Sequence, residues 1–66
     1  MNITILQKGI VLNHSENSQT YILYASIIHL SRRYGYIDIF VTGDSYTIKD
    51  EGGIIFSKLV AALDSI

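Results

Sequence analysis

The chain contains no cysteine and no proline among its 66 residues. Without cysteine it cannot form disulfides, and a zinc site would have to depend on two histidines, His14 and His29. We therefore predict no disulfide framework, no bound metal and no other cofactor. A chain of this length buries only about 60% of its unfolded surface, so it needs an efficient core or self-association to be stable.

Charged residues are also scarce: Asp, Glu, Lys and Arg make up 17% of the chain, and its net charge is -1. Non-specific nucleic-acid binding needs a cationic surface that releases counterions, so this composition argues against it. No apolar run approaches the ~20 residues that span a bilayer, and Met1-Asn2-Ile3 has no basic signal-peptide start. We expect one domain over residues 1–66, no membrane association and a cytoplasmic location.

The N-terminal segment ITILQKGIVL is rich in β-branched residues, as strands are. Two interpretations remain open. In one, Lys8-Gly9 is a two-residue hairpin turn that pairs Leu6 with Val11 and Ile5 with Leu12. In the other, a single bent strand ends near Gln7.

The next segment predicts a helix over about residues 18–34. Polar capping residues precede it, and its apolar positions are Tyr21, Ile22, Leu23, Tyr24, Ala25, Ile27, Ile28 and Leu30. This apolar arc is wider than the ~100° that a surface helix needs. Arg32 and Arg33 would lie in the last turn, where cations favour the helix dipole, and Gly35 would provide the left-handed stop.

The segment YIDIFVTGDSYTIK predicts a β-hairpin with Gly43-Asp44 as its two-residue turn. That register places Asp38 opposite Lys49. Alternation sorts the side chains into two faces: Ile37, Ile39, Val41, Tyr46 and Ile48 lie on one, and Asp38, Phe40, Thr42, Ser45, Thr47 and Lys49 on the other.

Asp50 and Glu51 place negative charge before a second helix, predicted from about Ile54 to the C-terminus. Its apolar stripe is Ile54, Ile55, Phe56, Leu59, Ala62, Leu63 and Ile66. The element order is therefore strand or hairpin, helix, hairpin, helix. The simplest assembly is a small α+β two-layer sandwich with both helices on one face of a mainly antiparallel sheet.

His14 lies in the polar run NHSENSQT, before the first predicted helix. This arrangement resembles the HPr-type phosphocarriers, in which an active histidine follows the first strand and precedes a helix. The resemblance would make His14 a phosphoryl acceptor. The family's His-Ala-Arg-Pro is His14-Ser15-Glu16-Asn17 here, so a carboxylate stands where the phosphate-binding arginine belongs. The phosphocarrier interpretation is kept as an alternative, and the chain is not assigned to the family.

No other residue pattern points to catalysis. Asp50 and Glu51 are adjacent, so on an extended segment they point apart and do not form a hydrolase carboxylate pair. Gly52-Gly53 lacks the Lys-Ser/Thr of a phosphate-binding loop. We expect the protein not to be an enzyme.

The surplus of apolar residues, 48% of the chain, is the main indication of function. Tyr36 and Phe40 would project from the hairpin face opposite the core, and exposed aromatics are typical interface anchors. We predict a homo-oligomeric binding protein that contacts another protein through Tyr36, Phe40, Arg32 and Arg33. Inhibitors and regulators of phages and mobile elements are comparable in size and composition. A second hypothesis is a small anionic or nucleotide-like ligand held at a subunit interface by Tyr24, His29 and Arg33.

Overall fold

A computed structural model describes residues 2–65. These residues form two three-stranded antiparallel sheets and one C-terminal helix, so the predicted α+β class is confirmed. The first sheet contains β1 (Asn2–Ile5), β2 (Gly9–Ser15) and β3 (Ser18–Leu23). The second contains β4 (Ile27–Arg33), β5 (Tyr36–Val41) and β6 (Asp44–Lys49), and α1 spans Ile54–Asp64. In each sheet the strand order follows the chain order.

The helix predicted over residues 18–34 is wrong. This segment forms β3, one turn of 3₁₀ helix at Tyr24–Ser26, and β4. Its β-branched and aromatic residues favour strands. A bulge between Ile27 and His29 interrupts the alternation that would have revealed β4. With one predicted helix replaced by strands, the arrangement of two helices on one sheet is not observed.

The N-terminal segment forms the predicted hairpin and not a single bent strand. The loop lies earlier than expected, because the amide of Leu6 donates to the carbonyl of Gly9 at 2.8 Å and Ile5 pairs with Ile10. The predicted pairs of Leu6 with Val11 and Ile5 with Leu12 are therefore wrong. Moving the turn by one position shifts the partners by two, so each residue lies on the same face of the hairpin as in the predicted pairing.

Gly9 is required by the close approach of β3. A Cβ atom at this position would collide with the carbonyl oxygen of Ile22. The absence of a side chain at Gly9 therefore lets β3 pair with β2 without a shift of the backbone.

The second predicted hairpin is also present, with a different turn. The loop is Thr42-Gly43, and Val41 pairs with Asp44. Gly43 has φ +80°, the left-handed value that a type II turn requires at its second central position. The register therefore shifts, and Asp38 faces Thr47 instead of the predicted Lys49.

A single buried cluster joins the two sheets and the helix. The first sheet and the 3₁₀ turn after it contribute four apolar side chains, the second sheet three and the helix one: Ile10, Leu12, Ile22, Tyr24, Ile37, Ile39, Ile48 and Leu59. The predicted inner face of the β5–β6 hairpin is thus confirmed at Ile37, Ile39 and Ile48, which are at most 2% exposed.

The C-terminal helix begins at Ile54, as predicted. The side chain of Asp50 accepts hydrogen bonds from the amides of Ile55 at 2.9 Å and Phe56 at 3.0 Å, so it caps the first turn. Asp50 is only 4% exposed. The predicted contribution of Ile66 lies outside the described residues.

Candidate functional site

The outer face of the second sheet carries three rows of side chains, one from each strand, which we call the aromatic face. Register alternation places these residues opposite the buried Ile37, Ile39 and Ile48. The aromatic face consists of His29, Ser31 and Arg33 on β4, Tyr36, Asp38 and Phe40 on β5, and Ser45, Thr47 and Lys49 on β6.

A charged network crosses all three strands at its centre. The Arg33 guanidinium donates to both carboxylate oxygens of Asp38, at 2.6 and 2.9 Å, and the Thr47 hydroxyl donates to the same carboxylate at 2.6 Å. The hydrogen bonds from Arg33 and Thr47 lower the pKa of Asp38, and the bond to Asp38 raises the pKa of Arg33. Bidentate geometry fixes the arginine more firmly than a single contact would. Three hydrogen bonds therefore converge on the Asp38 carboxylate at the centre of the face.

Tyr36 lies beside this network at one end of the face. It pairs with Arg33 on one side and Lys49 on the other, and it is 46% exposed. Lys49 reaches the carboxylate of Glu51 at 3.0 Å, and this contact raises the pKa of Lys49. The ring of Tyr36 is therefore accessible between two cations that both have acidic partners.

Phe40 occupies the other end. The bulge in β4 sets His29 opposite it, and the two ring centroids are 5.6 Å apart at an interplanar angle of 36°. Phe40 is half-buried by its neighbours on this face, while the adjacent Ile39 is fully buried in the core. Phe40 thus projects away from the core, as the alternation predicted.

Arg32 does not join Arg33. Successive side chains of a strand point to opposite faces, and the Arg32 guanidinium lies 5.7 Å from the centroid of the Phe56 ring on α1. Arg32 also occupies the space that a Cβ atom on Gly53 would fill. Of the four predicted interface residues, the structure brings Tyr36, Phe40 and Arg33 together and places Arg32 against the helix.

The predicted ligand residues are not assembled either. His29 and Arg33 share the aromatic face, but Tyr24 is 3% exposed and belongs to the core. Its hydroxyl donates to the carbonyl of Leu6 at 2.5 Å, and burial raises the pKa of Tyr24. The guanidinium of Arg33 is already paired with the Asp38 carboxylate, so an anionic ligand would have to compete with Asp38 for it.

His14 is an exposed residue at the end of β2, at an irregularity in the pairing with β3. Its Nε2 lies 2.8 Å from the hydroxyl oxygen of Thr20. The segment that follows is a strand, so the helix amides on which the phosphocarrier alternative depends are not present beside His14.

Sequence reasoning missed two sets of residues. It paired Asp38 with Lys49 and so overlooked the network with Arg33 and Thr47, although alternation had already placed Asp38 and Thr47 on one face. It also assigned Tyr21, Leu23 and Ile28 to a helix. In the structure these three side chains are 54%, 48% and 66% exposed.

Within residues 2–65 no group of three or more His, Cys, Asp or Glu side chains is placed to hold a metal ion. In the same range no helix has the length and apolar character to cross a membrane. Comparison with protein-family models, with curated proteins and with solved structures finds no match to the chain.

Proposed function

We propose that the protein is a small non-enzymatic binding module, of the inhibitor or regulator type, that recognises another protein through its aromatic face. One observation carries this proposal: Tyr36 and Phe40 project from the sheet face opposite the core, on either side of the bidentate Arg33–Asp38 pair. Tyr and Arg are among the residue types that dominate binding energy at protein interfaces, and Phe is enriched in interfaces.

The geometry of the network favours binding over catalysis. The Asp38 carboxylate accepts three hydrogen bonds from Arg33 and Thr47, and its pKa is lowered by them. A carboxylate held ionised in this way is a poor proton donor near neutral pH. Its role is to hold Arg33 in one position beside Tyr36, which reduces the side-chain entropy lost on binding.

The distribution of charge favours a protein partner over nucleic acid. Arg33 is paired with Asp38, and Lys49 with Glu51. Both cations of the aromatic face therefore carry an acidic neighbour, whereas phosphate backbones select surfaces with excess positive charge. A partner with an apolar or aromatic centre and a mixed-charge rim would complement this face.

Photo-crosslinking tests the proposal while the partner is still unidentified. A benzophenone amino acid replaces Tyr36 or Phe40 in the cells that make the protein, and Tyr34 serves as the matched control. Tyr34 is fully exposed in the turn between β4 and β5, outside the three rows. We expect a protein adduct from positions 36 and 40 that position 34 does not give.

The captured protein is then purified and titrated calorimetrically. Phe40→Asp should weaken its binding by at least about tenfold, since burying an unpaired charge opposes association. Tyr34→Asp should bind like the wild type. The proposal fails if neither position forms a specific adduct, or if Phe40→Asp binds the captured protein as tightly as the wild type does.

A further inference from the structure

The free edge of the first sheet offers a second interaction surface, distinct from the aromatic face. Strand β3 has β2 on one side only, because the strand order is β1-β2-β3. Beside it lies a groove of about 680 Å³. One wall comes from β3 and the 3₁₀ turn, namely Thr20, Tyr21, Ile22, Leu23, Ala25 and Ser26, and the other from the second sheet, namely Ile28, Val41, Thr42 and Tyr46. None of these lining residues is charged.

Hydrogen-bond alternation shows which backbone groups of β3 face this edge. The amide of Tyr24 donates to the carbonyl of Lys8, so these two residues form a hydrogen-bonded pair. Two positions along, Ile22 and Ile10 form the next such pair of the β2–β3 ladder. In an antiparallel ladder the residues between such pairs direct their amides and carbonyls away from the neighbouring strand. The outward groups of β3 are therefore those of Gln19, Tyr21 and Leu23.

We propose that β3 pairs antiparallel with β3 of a second copy of this chain, across a two-fold axis at Tyr21. In this register Tyr21 pairs with Tyr21 of the second copy, and Gln19 pairs with Leu23. Every outward amide and carbonyl of these three residues then acquires a partner. The same patch serves both subunits, as a closed dimer requires.

The distribution of charge over the edge strands favours β3 as the pairing edge and a second copy of the chain as its partner. Residues Ser18–Leu23 carry no charge, so self-pairing places no like charges opposite each other. The two edge strands of the second sheet carry charged residues, Arg32 and Arg33 on β4 and Asp44 and Lys49 on β6, which natural proteins use to block edge pairing. A charged peptide would find no counter-charge in the groove.

The remaining edge, β1, is less suited to pairing. It has only four residues, and Ile3 and Ile5 are partly buried against the core. Short edge strands resist pairing. Along β3, in contrast, Tyr21, Leu23 and the neighbouring Ile28 are each about half exposed or more, at 54%, 48% and 66%. A second copy would cover apolar surface at β3 that β1 does not offer.

This inference goes beyond the proposed function, because it assigns self-association to β3 and leaves the aromatic face free for the partner. The test is the molar mass of the full chain by light scattering over a dilution series. We expect a wild-type dimer. Tyr21→Lys should weaken it by about tenfold or more, because two lysines would meet at the axis. Tyr34→Lys, the same change at an exposed turn, should leave it intact.

Mixing variants of opposite charge at position 21 distinguishes loss of the interface from loss of the fold. Tyr21→Lys and Tyr21→Glu should each self-associate about tenfold or more less tightly than the wild type, and an equimolar mixture should recover a heterodimer. Hydrogen exchange gives an independent readout: the amides of Tyr21 and Leu23 should become protected on dimer formation. The outward amides of Ile3 and Ile5 on β1 should not.

A monomeric wild type overturns the inference, as does a Tyr21→Lys variant that dimerises like the wild type. A dimer that dissociates with Phe40→Asp but not with Tyr21→Lys would place self-association on the aromatic face and also overturn it. None of these outcomes decides whether the aromatic face binds another protein, because crosslinking from positions 36 and 40 measures that separately.

Discussion

Arg33 and Asp38 lie on neighbouring strands, and the guanidinium of Arg33 contacts both oxygens of the Asp38 carboxylate, at 2.6 and 2.9 Å. With the Thr47 hydroxyl, this pair links β4, β5 and β6 on the outer face of the second sheet. The pair thereby connects the stability of that sheet to the protonation of one side chain.

Low pH should reduce the stability of the folded protein by protonating Asp38. Its pKa in the folded protein is below the ordinary 3.8. A group with a lowered folded pKa stabilises the fold fully above its unfolded pKa, and this stabilisation is lost as the pH falls through the folded pKa. Urea unfolding at a series of pH values should show a steeper acid loss for the wild type than for Asp38→Asn. Asp64→Asn, at the exposed end of α1, should follow the wild type; equal slopes for wild type and Asp38→Asn would contradict the prediction.

Removal of the helix cap should destabilise the fold. Asp50→Ala leaves the amides of Ile55 and Phe56 without their acceptor, and loss of such a cap costs about 0.5–2 kcal/mol. Asp50→Asn, which keeps one acceptor oxygen, should lose less. Chemical denaturation measures both. Equal stability of Asp50→Ala and the wild type would show that the cap contributes nothing.

Adjacent residues on β5 should separate stability from binding. Ile39→Ala opens a cavity in the core and should cost about 2–5 kcal/mol of unfolding free energy. Phe40→Ala removes a ring from the outer face, so it should cost clearly less stability while weakening partner binding. Denaturation and calorimetry on both variants check this. A larger loss of stability for Phe40→Ala than for Ile39→Ala would show that Phe40 belongs to the core.

Two neighbouring glycines allow the contact between Arg32 and the helix to be measured. Gly52 and Gly53 have φ of +78° and +72°, so alanine is strained at both, by about 1–2 kcal/mol. Only at Gly53 would the new Cβ atom collide with Arg32. Gly53→Ala should therefore destabilise more than Gly52→Ala, and the difference should disappear in an Arg32→Ala background. A difference that persists there would assign the effect to the backbone.

The C-terminal half of the fold could be predicted from the sequence because its signals are local. Strict alternation identified the two faces of the β5–β6 hairpin, and the acidic residues before Ile54 marked the start of α1. The register could not be predicted as reliably. Gly43 is compatible with the first or the second position of a turn, and only the structure shows the left-handed residue to be second.

The helix predicted over residues 18–34 failed for a different reason. The connection between β3 and β4 is the 3₁₀ turn Tyr24–Ser26, which contains neither glycine nor proline. Because no glycine or proline separates β3 from β4, their sequence looks like one continuous apolar segment. Gly35 was expected to be left-handed and is, at φ +66°, but it turns a hairpin and does not end a helix. The misassigned helix also hid the separation of Arg32 from Arg33 and the burial of Tyr24.

Both sheets are meanders whose strands pair only with sequence neighbours. Most contacts therefore form between residues close in the chain, and such local contacts favour faster folding than distant ones do. On the ribosome, the first three strands can pair before the last helix has been synthesised. Until then their apolar side has no cover, so the interval before the second half docks is when a nascent chain is most exposed to aggregation.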